Sequence, residues 1–398
     1  MSLVEQLKTR FRENYGADPD VVTAAPGRVE FIGNHTDYNQ GTVIGAAIDR
    51  NVYAAMRRIE DPVFRFSSGV SPVVAIEDPA EKQIANAAWI NYPIGVYNCL
   101  IRRGLKPSGG FEVSVESDIP SGAGLSSSAA LELAISQALC ELYHLTLSFE
   151  EMAIASREAE NEFVGMPCGI LDQGVSALGK SDCLVHIDCK EMRFSTIPLG
   201  RDCSIWIFNT HNKHSLVESM YSERHQECSR AVAALKKAGL NIDCLADVST
   251  IDFGKLKSCL DDTTRSRAEH VVFEIDRVAR VKGLLADGNV IEAGQIMFES
   301  HASSRDLFHN STDELDYLVR ILQSMPGVIG ARLTGGGFGG AVMALTHEGF
   351  TTRYADSIAS AYRGKFGRSL EVIECHLSDG VHTVERVGKL DTIESAPE

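Results

Sequence analysis

Two stretches concentrate residue types that could do chemistry. The first is Gly122, Ala123, Gly124, Leu125, Ser126, Ser127 and Ser128, running directly into the helix-patterned segment AALELAISQALCELYHL. Gly122 and Gly124 let backbone approach a ligand with no Cβ in the way. The three serines place hydroxyls at a helix start, where unpaired N–H groups and the positive end of the helix dipole converge. The expected occupant is an anion, above all a phosphate chain. No lysine closes the turn before the serines, so this is not a Walker A loop. An ordinary capped helix after a flexible loop is the competing reading. The second stretch is Arg28-Val29-Glu30-Phe31-Ile32 followed by a polar turn, Gly33 to Gly41, holding His35, Asp37, Tyr38 and Asn39. Alternation predicts a half-buried strand with Val29 and Phe31 inward and Arg28 and Glu30 on the other face. The turn carries more hydrogen-bonding groups than a connection needs, and loops on rigid strands are where binding chemistry sits.

The elements that must position these residues are legible in outline. Leu3, Leu7 and Phe11 mark an amphipathic N-terminal helix, without the apolar run of a signal peptide. A second strand follows over Thr42–Ile48, and residues 85–103 read as a helix with Trp89 and Tyr92 on one face. Another helix is expected over residues 147–163, then strands between Cys183 and Pro198. A strand over Ser204–Thr210 opens a second unit. Helices then dominate to Ser324, interrupted near Asp243–Asp252, and residues 328–345 read as strand, glycine turn, strand. The polar tail from Gly388 is expected to fray. The domain boundary is placed between 198 and 199, giving units 1–198 and 199–398.

Composition narrows the function classes. A chain of 398 residues with 44% hydrophobic residues suits two or three domains. It has no apolar run long enough to span a membrane, and a cytoplasmic location is expected. The formal net charge of −16 argues against nucleic acid or an anionic membrane as the main partner. Ten scattered cysteines, with no CxxC pair, are expected to be reduced and mostly buried. Gly335, Gly337 and Gly340 satisfy GxGxxG, but Ala341-Val342-Met343-Ala344-Leu345 continues as an apolar strand where a dinucleotide fingerprint must open a helix. A nicotinamide-dependent dehydrogenase is therefore a poor competitor.

PGRVEFIGNHTDYNQG (residues 26–41) resembles the signature of the galactokinases, members of the GHMP small-molecule kinase family. PSGAGLSSSAA (120–130) and LTGGGFGGA (333–341) resemble that family's phosphate loop and third motif, in the expected order. AENEFVGMPCGILDQ (159–173) resembles the segment bearing its catalytic acids, and the similarity extends to the regions around Tyr221 and Glu299. The resemblance implies an α+β, two-domain GHMP kinase fold: a ribosomal S5 domain 2-like N-terminal domain, a ferredoxin-like C-terminal domain and an active site in the cleft between them. It implies ATP and Mg2+, a sugar substrate, and a monomer. Asp172 takes the catalytic position, accepting the anomeric hydroxyl proton, with Arg28 beside it. Ser128 and Glu160 are the implied magnesium ligands. His35, Asp37, the backbone at Gly169 and Tyr221 are implied in sugar recognition. Trp89 flanks the adenine, where stacking and simple core packing remain equal alternatives.

One departure stands out. The family reads Asn and Glu at the positions of Glu30 and Asn34, as if amide and carboxylate had exchanged places. Position 34 is the family's contact to the sugar 6-hydroxyl. Glu30 either supplies the displaced carboxylate or pairs with Arg28. The expected reaction is conversion of D-galactose to α-D-galactose 1-phosphate. The alternatives are an N-acetylgalactosamine or galacturonate kinase, or a non-catalytic galactose- and ATP-binding sensor. Galacturonate is disfavoured by the Glu30 charge, and the sensor by the complete serine loop with Glu160 and Asp172.

Overall fold

The strand that carries Arg28 and Glu30 runs through the middle of the molecule rather than along a wet edge. The computed structural model describes residues 1–69, 71–82, 85–120, 122–200, 202–213, 217–347 and 349–386. In it β1 (Val21–Ile32) is buried at every residue. The half-buried strand expected from alternation is corrected here, because the polar face is covered by groups that satisfy it. Arg28 bonds Asp172, and Glu30 bonds Arg332.

The first half comprises α1 (Leu3–Tyr15), β1, β2 (Thr42–Ile59), β3 (Phe64–Ser68), β4 (Ser71–Ile76), α2 (Asn91–Arg102) and β5 (Gly110–Ser117). It continues through α3 (Ser127–Tyr143), α4 (Phe149–Glu158), α5 (Leu171–Leu178), β6 (Cys183–Asp188) and β7 (Arg193–Pro198). Ser2 caps α1, and Leu7 and Phe11 pack on Val22 and Ala55. Two helix boundaries differ from expectation. Residues 85–90 form a 3₁₀ turn before α2, and Ala159–Val164 widens into a π-type turn after α4. Such wide turns recur at functional sites, and this one carries Glu160.

The second half comprises β8 (Cys203–Lys213), α6 (Val217–Lys237), α7 (Thr250–Leu256), α8 (Asp262–Ala286), α9 (Val290–Ser303) and α10 (Asp313–Gln323). It ends with β9 (Val328–Thr334), β10 (Gly339–His347), α11 (Thr352–Phe366), β11 (Glu371–Cys375) and β12 (His382–Arg386). The sheet order β11-β8-β10-β9 is antiparallel throughout, as a ferredoxin-like unit requires. Its two faces separate by strand periodicity. Trp206, Phe208, Val342 and Ala344 bury against α10 and α11, whereas Ile205, Ile207, Met343 and Leu345 join the core of the first half. The glycine turn before β10 leads into a strand, as its sequence context required. The tail from Gly388 lies outside the described residues.

The first sheet runs β12-β1-β2-β5-β3-β4, with β6 on β2 and β7 on β6. Its outer strand β12 comes from the far end of the chain, pairing Val21 with Arg386 and Ala24 with His382. The stretch 199–398 thus contributes to both sheets.

Helix α9 lies directly on β9. A Cβ at Gly294 would stand 2.5 Å from the Ile329 carbonyl oxygen, so the two backbones meet without side chains between them. This contact fixes the height of Ser300 and His301 above the strand that leads into the glycine loop. Gly294→Val is expected to lower stability by about 1–3 kcal/mol through overpacking, read as a fall in the urea midpoint. An unchanged midpoint would show that α9 can lift off β9 freely.

Candidate active site

Arg28 sits where three segments meet. Its guanidinium donates to Asp172 Oδ1 from Nε at 2.8 Å and Nη2 at 2.5 Å, and from Nη1 to the Gly124 carbonyl at 2.8 Å. Its backbone N–H donates to the Leu125 carbonyl at 3.0 Å. The arginine is buried, while the Asp172 side chain, at the first turn of α5, keeps 29% of its surface open. Ser126 Oγ donates to Asp172 Oδ2 at 2.6 Å. Both carboxylate oxygens are therefore oriented by the protein.

The serine loop departs from expectation at one residue. Ser126 precedes α3 in the left-handed region, with φ of 57°, and its hydroxyl makes no cap bond to the helix. It bonds Asp172 and also lines the neighbouring cavity. Ser127 and Ser128 open the helix and line the neighbouring cavity with Gly122 and Gly124. Ala123 and Leu125 are buried, so they contribute main chain.

A cavity of about 370 Å³ is lined by Arg28, Glu30, Asn34, His35, Asp37, Glu160, Gly169, Asp172 and Tyr221, together with Met166, Cys168, Gly335 and Gly336. Its walls come from both halves of the chain. A second cavity, behind the serine loop, shares Arg28, Asp172, Gly335 and Gly336 with the first. A third, lined by Trp89, Tyr92, Val52, Val115 and Leu131, shares Ser127 and Ser128 with the second. Trp89 is half-buried and edge-on to Phe66, with centroids 6.4 Å apart, so it packs and faces the cavity at once.

Within the first cavity the sequence candidates divide. The Asp37 carboxylate accepts from the Tyr38 N–H at 2.9 Å, and burial, helped by the charges of Asp172 and Glu30, pushes its pKa up to about 7. A Cβ at Gly169 would overlap this carboxylate, which explains the glycine there. His35 has both nitrogens engaged, with the Tyr38 hydroxyl and the Gly336 carbonyl, each at 3.0 Å. Burial lowers its pKa to about 3 and keeps it neutral. It forms part of an aromatic wall, its ring centroid 5.1 Å from Tyr221 and 4.5 Å from Phe308. Tyr221 stays a phenol, its pKa pushed far up by burial.

The exchanged pair resolves in the same way. Asn34 is fully buried and its amide donates to Glu30 Oε2 at 3.2 Å and the Gly335 carbonyl at 2.9 Å. Its carbonyl oxygen accepts from Asn310 at 2.7 Å and Ser304 at 3.3 Å. The pairing of Glu30 with Arg28 is corrected: Glu30 Oε1 accepts from Arg332 Nη1 at 2.9 Å. The turn is held from beneath by the buried Glu274, which accepts the N–H groups of Gly33 and Asn34. Arg332, Glu274 and Asn310 went unread in the sequence, because nothing local distinguishes them from surface polar residues.

Glu160 is buried at the wide turn after α4, and burial followed by the nearby Asp172 charge pushes its pKa up to about 7. Hydrogen bonds from Cys168, Gln173 and Ser128 act in the opposite direction. Among the described residues, no group of three or more His, Cys, Asp or Glu side chains is arranged to hold a metal. In the second cavity Arg28 is the one side-chain cation among the described residues. An oxygen donor pair, Ser128 and Glu160, beside a cation-poor anion site fits a magnesium ion, which takes few protein ligands and completes its shell with water and phosphate.

Three family descriptions match the chain: the galactokinase galactose-binding signature over residues 9–58, the GHMP kinases N-terminal domain over 91–180 and the GHMP kinases C-terminal domain over 281–367. A galactokinase of Roseiflexus sp. (strain RS-1) is 38% identical, over 95% of this chain and 97% of its own. One of Clostridium beijerinckii is 34% identical, over 96% of this chain and 100% of its own. The crystal structure of Lactococcus lactis galactokinase complexed with galactose superposes with a TM-score of 0.91 at 30% identity, covering 96% of this chain and 100% of that one. Mevalonate kinase shares the fold at a TM-score of 0.62 and 17% identity. The chain belongs to the galactokinase family of GHMP kinases.

Proposed function

We propose that this protein transfers the γ-phosphoryl group of ATP to the anomeric hydroxyl of D-galactose, releasing α-D-galactose 1-phosphate and ADP. The observation that supports this most directly is the file of three cavities: sugar-sized, serine- and glycine-lined, and apolar, joined at Arg28 with Asp172 and at Ser127 with Ser128. That order matches the order of groups in a sugar, a triphosphate and a base. It puts Asp172 at the junction where the hydroxyl must meet the phosphate. Its two oxygens, aimed by Arg28 and Ser126, are placed to accept the hydroxyl proton as the oxygen attacks. Arg28 balances the carboxylate and the charge that builds on the transferring group.

Gly122 to Ser128 would cradle the phosphates with main-chain N–H groups at the start of α3. Ser128 and Glu160 would hold magnesium, which when bound neutralises charge on the β- and γ-phosphate oxygens. Asp37 would take sugar hydroxyls, including the axial one that separates galactose from glucose. A buried acceptor left unpaired by the wrong epimer discriminates strongly. Asn34 and Glu30 would act by shaping the wall, since their polar atoms are held by protein. Trp89 would stack beside adenine. Ten free cysteines support a reducing compartment, and we place the protein in the cytoplasm as a monomer.

Asp172→Asn keeps shape and removes the proton acceptor. With MgATP and galactose, ADP release is expected to fall about 10²–10⁴-fold in kcat, with far less change in sugar affinity. ADP release from glucose, N-acetylgalactosamine or galacturonate in preference to galactose would displace the substrate assignment. Sugar and ATP binding with no turnover on any of them would favour the sensor.

The raised pKa of Asp37 predicts a pH dependence of defined sign. Above about 7 the group is a carboxylate and accepts sugar hydroxyls; below it the proton removes that acceptor. Galactose binding to the nucleotide-free protein should therefore weaken as pH falls through this value, by calorimetry. Asp37→Asn should bind weakly and show no such limb; a wild-type affinity flat across that range would contradict this role.

A further inference from the structure

Next to Glu160 lie two buried side chains, Gln173 and Glu132, that the reaction as described does not use. Gln173 and Glu132 are both fully buried, and Glu160 nearly so. The Gln173 amide nitrogen donates to Glu160 Oε2 at 2.6 Å and to Glu132 Oε2 at 3.0 Å. Its two hydrogens thus join carboxylates on different elements, the wide turn after α4 and the middle of α3. The Cys168 thiol reaches the same Glu160 oxygen at 3.5 Å. Two protein donors converge on Oε2, and neither of them engages Oε1.

We propose that Gln173, anchored by Glu132, is a positioning residue that presents Glu160 to a divalent cation through one oxygen and thereby favours magnesium over larger ions. This rests on the reading of Glu160 as a magnesium ligand. Magnesium requires near-octahedral geometry and short bonds, whereas calcium readily takes both oxygens of a carboxylate. A carboxylate with one oxygen tied to Gln173 cannot rotate into two-oxygen ligation without breaking a buried hydrogen bond. A packing role alone would tie up no particular oxygen. Glu132 fits the same account, since a buried carboxylate in the middle of an apolar helix face is costly unless it receives a donor.

The test is equilibrium binding of ADP, by calorimetry, titrated with magnesium, manganese and calcium, alongside metal-free ADP binding and galactose binding. Gln173→Leu is expected to weaken magnesium-supported ADP binding about 10- to 100-fold. It should raise the calcium-to-magnesium affinity ratio, and leave metal-free ADP and galactose affinities unchanged. Glu132→Gln, which keeps an acceptor for the amide, should retain most of the wild-type preference. An unchanged ratio in Gln173→Leu, with Glu160→Gln impaired, would overturn the positioning role. Metal dependence unchanged in Glu160→Gln would instead overturn the ligand reading beneath it. Should Gln173→Leu fail to fold, Cys168→Ala, which frees the same oxygen of its second donor, is expected to shift the ratio in the same direction; no shift would count against the proposal.

Discussion

A buried arginine cannot be left without a partner, and that constraint organises this molecule. Removing one member of a buried ion pair leaves an uncompensated charge, at a cost of about 3–5 kcal/mol. Arg28 meets its demand with Asp172 on α5 and with the Gly124 carbonyl in the serine loop. Three segments distant in sequence are thereby drawn to one point, and the sugar-sized cavity and the serine- and glycine-lined cavity meet there. An ion pair serving stability alone would gain from closing over both partners. Here Arg28 is enclosed and Asp172 stays partly open, toward the two cavities it lines.

The same logic extends to the second half through Glu30 and Arg332, both buried. Strands β1 and β9 belong to different sheets, and this pair links them across the wall of the cavity. The backbone N–H groups of Gly33 and Asn34 are taken by Glu274, itself paired with Arg277 at 2.7 Å and bonded by Ser300 at 2.6 Å. The turn that bears His35 and Asp37 is thus seated on charged groups whose bonds are directional. Apolar packing would tolerate a small slide of the turn; this arrangement does not.

What the sequence made legible was whatever has a short period or a fixed local grammar. The glycines before α3, the strand after Gly340 and the polar turn after β1 all announce themselves within a few residues. The ferredoxin-like unit and the placement of Arg28 beside Asp172 followed from ordered motifs. The misses share a cause. Ser126 was read as a hydroxyl at the helix start, and its bond to Asp172, 46 residues away, went unread. Pairing with Arg28 was one of two readings of Glu30, whose Oε1 instead meets Arg332, 302 residues away. His35 was read for sugar recognition, and its bonds to the Tyr38 hydroxyl and to the Gly336 carbonyl, 301 residues away, went unread. Each of these depends on which distant group arrives, and local patterns carry no such information.

The strand β12 has a consequence for how the molecule is made. It supplies the outer neighbour of β1, and Glu385 on it reaches back to Lys8 on α1 at 2.9 Å. While the chain is being synthesised, β1 therefore has one row of unsatisfied backbone groups until almost everything else has emerged. Exposed edges of this kind invite pairing with other chains, and pairing over such a sequence separation is slow to form. A ribosome that stalls in the second half before residue 382 would release a product with this adhesive flank open over Val21–Ala24, on the strand that bears Arg28. The window of vulnerability closes when residues 382–386 dock, so protection of the strand that bears Arg28 waits on a segment made long after it.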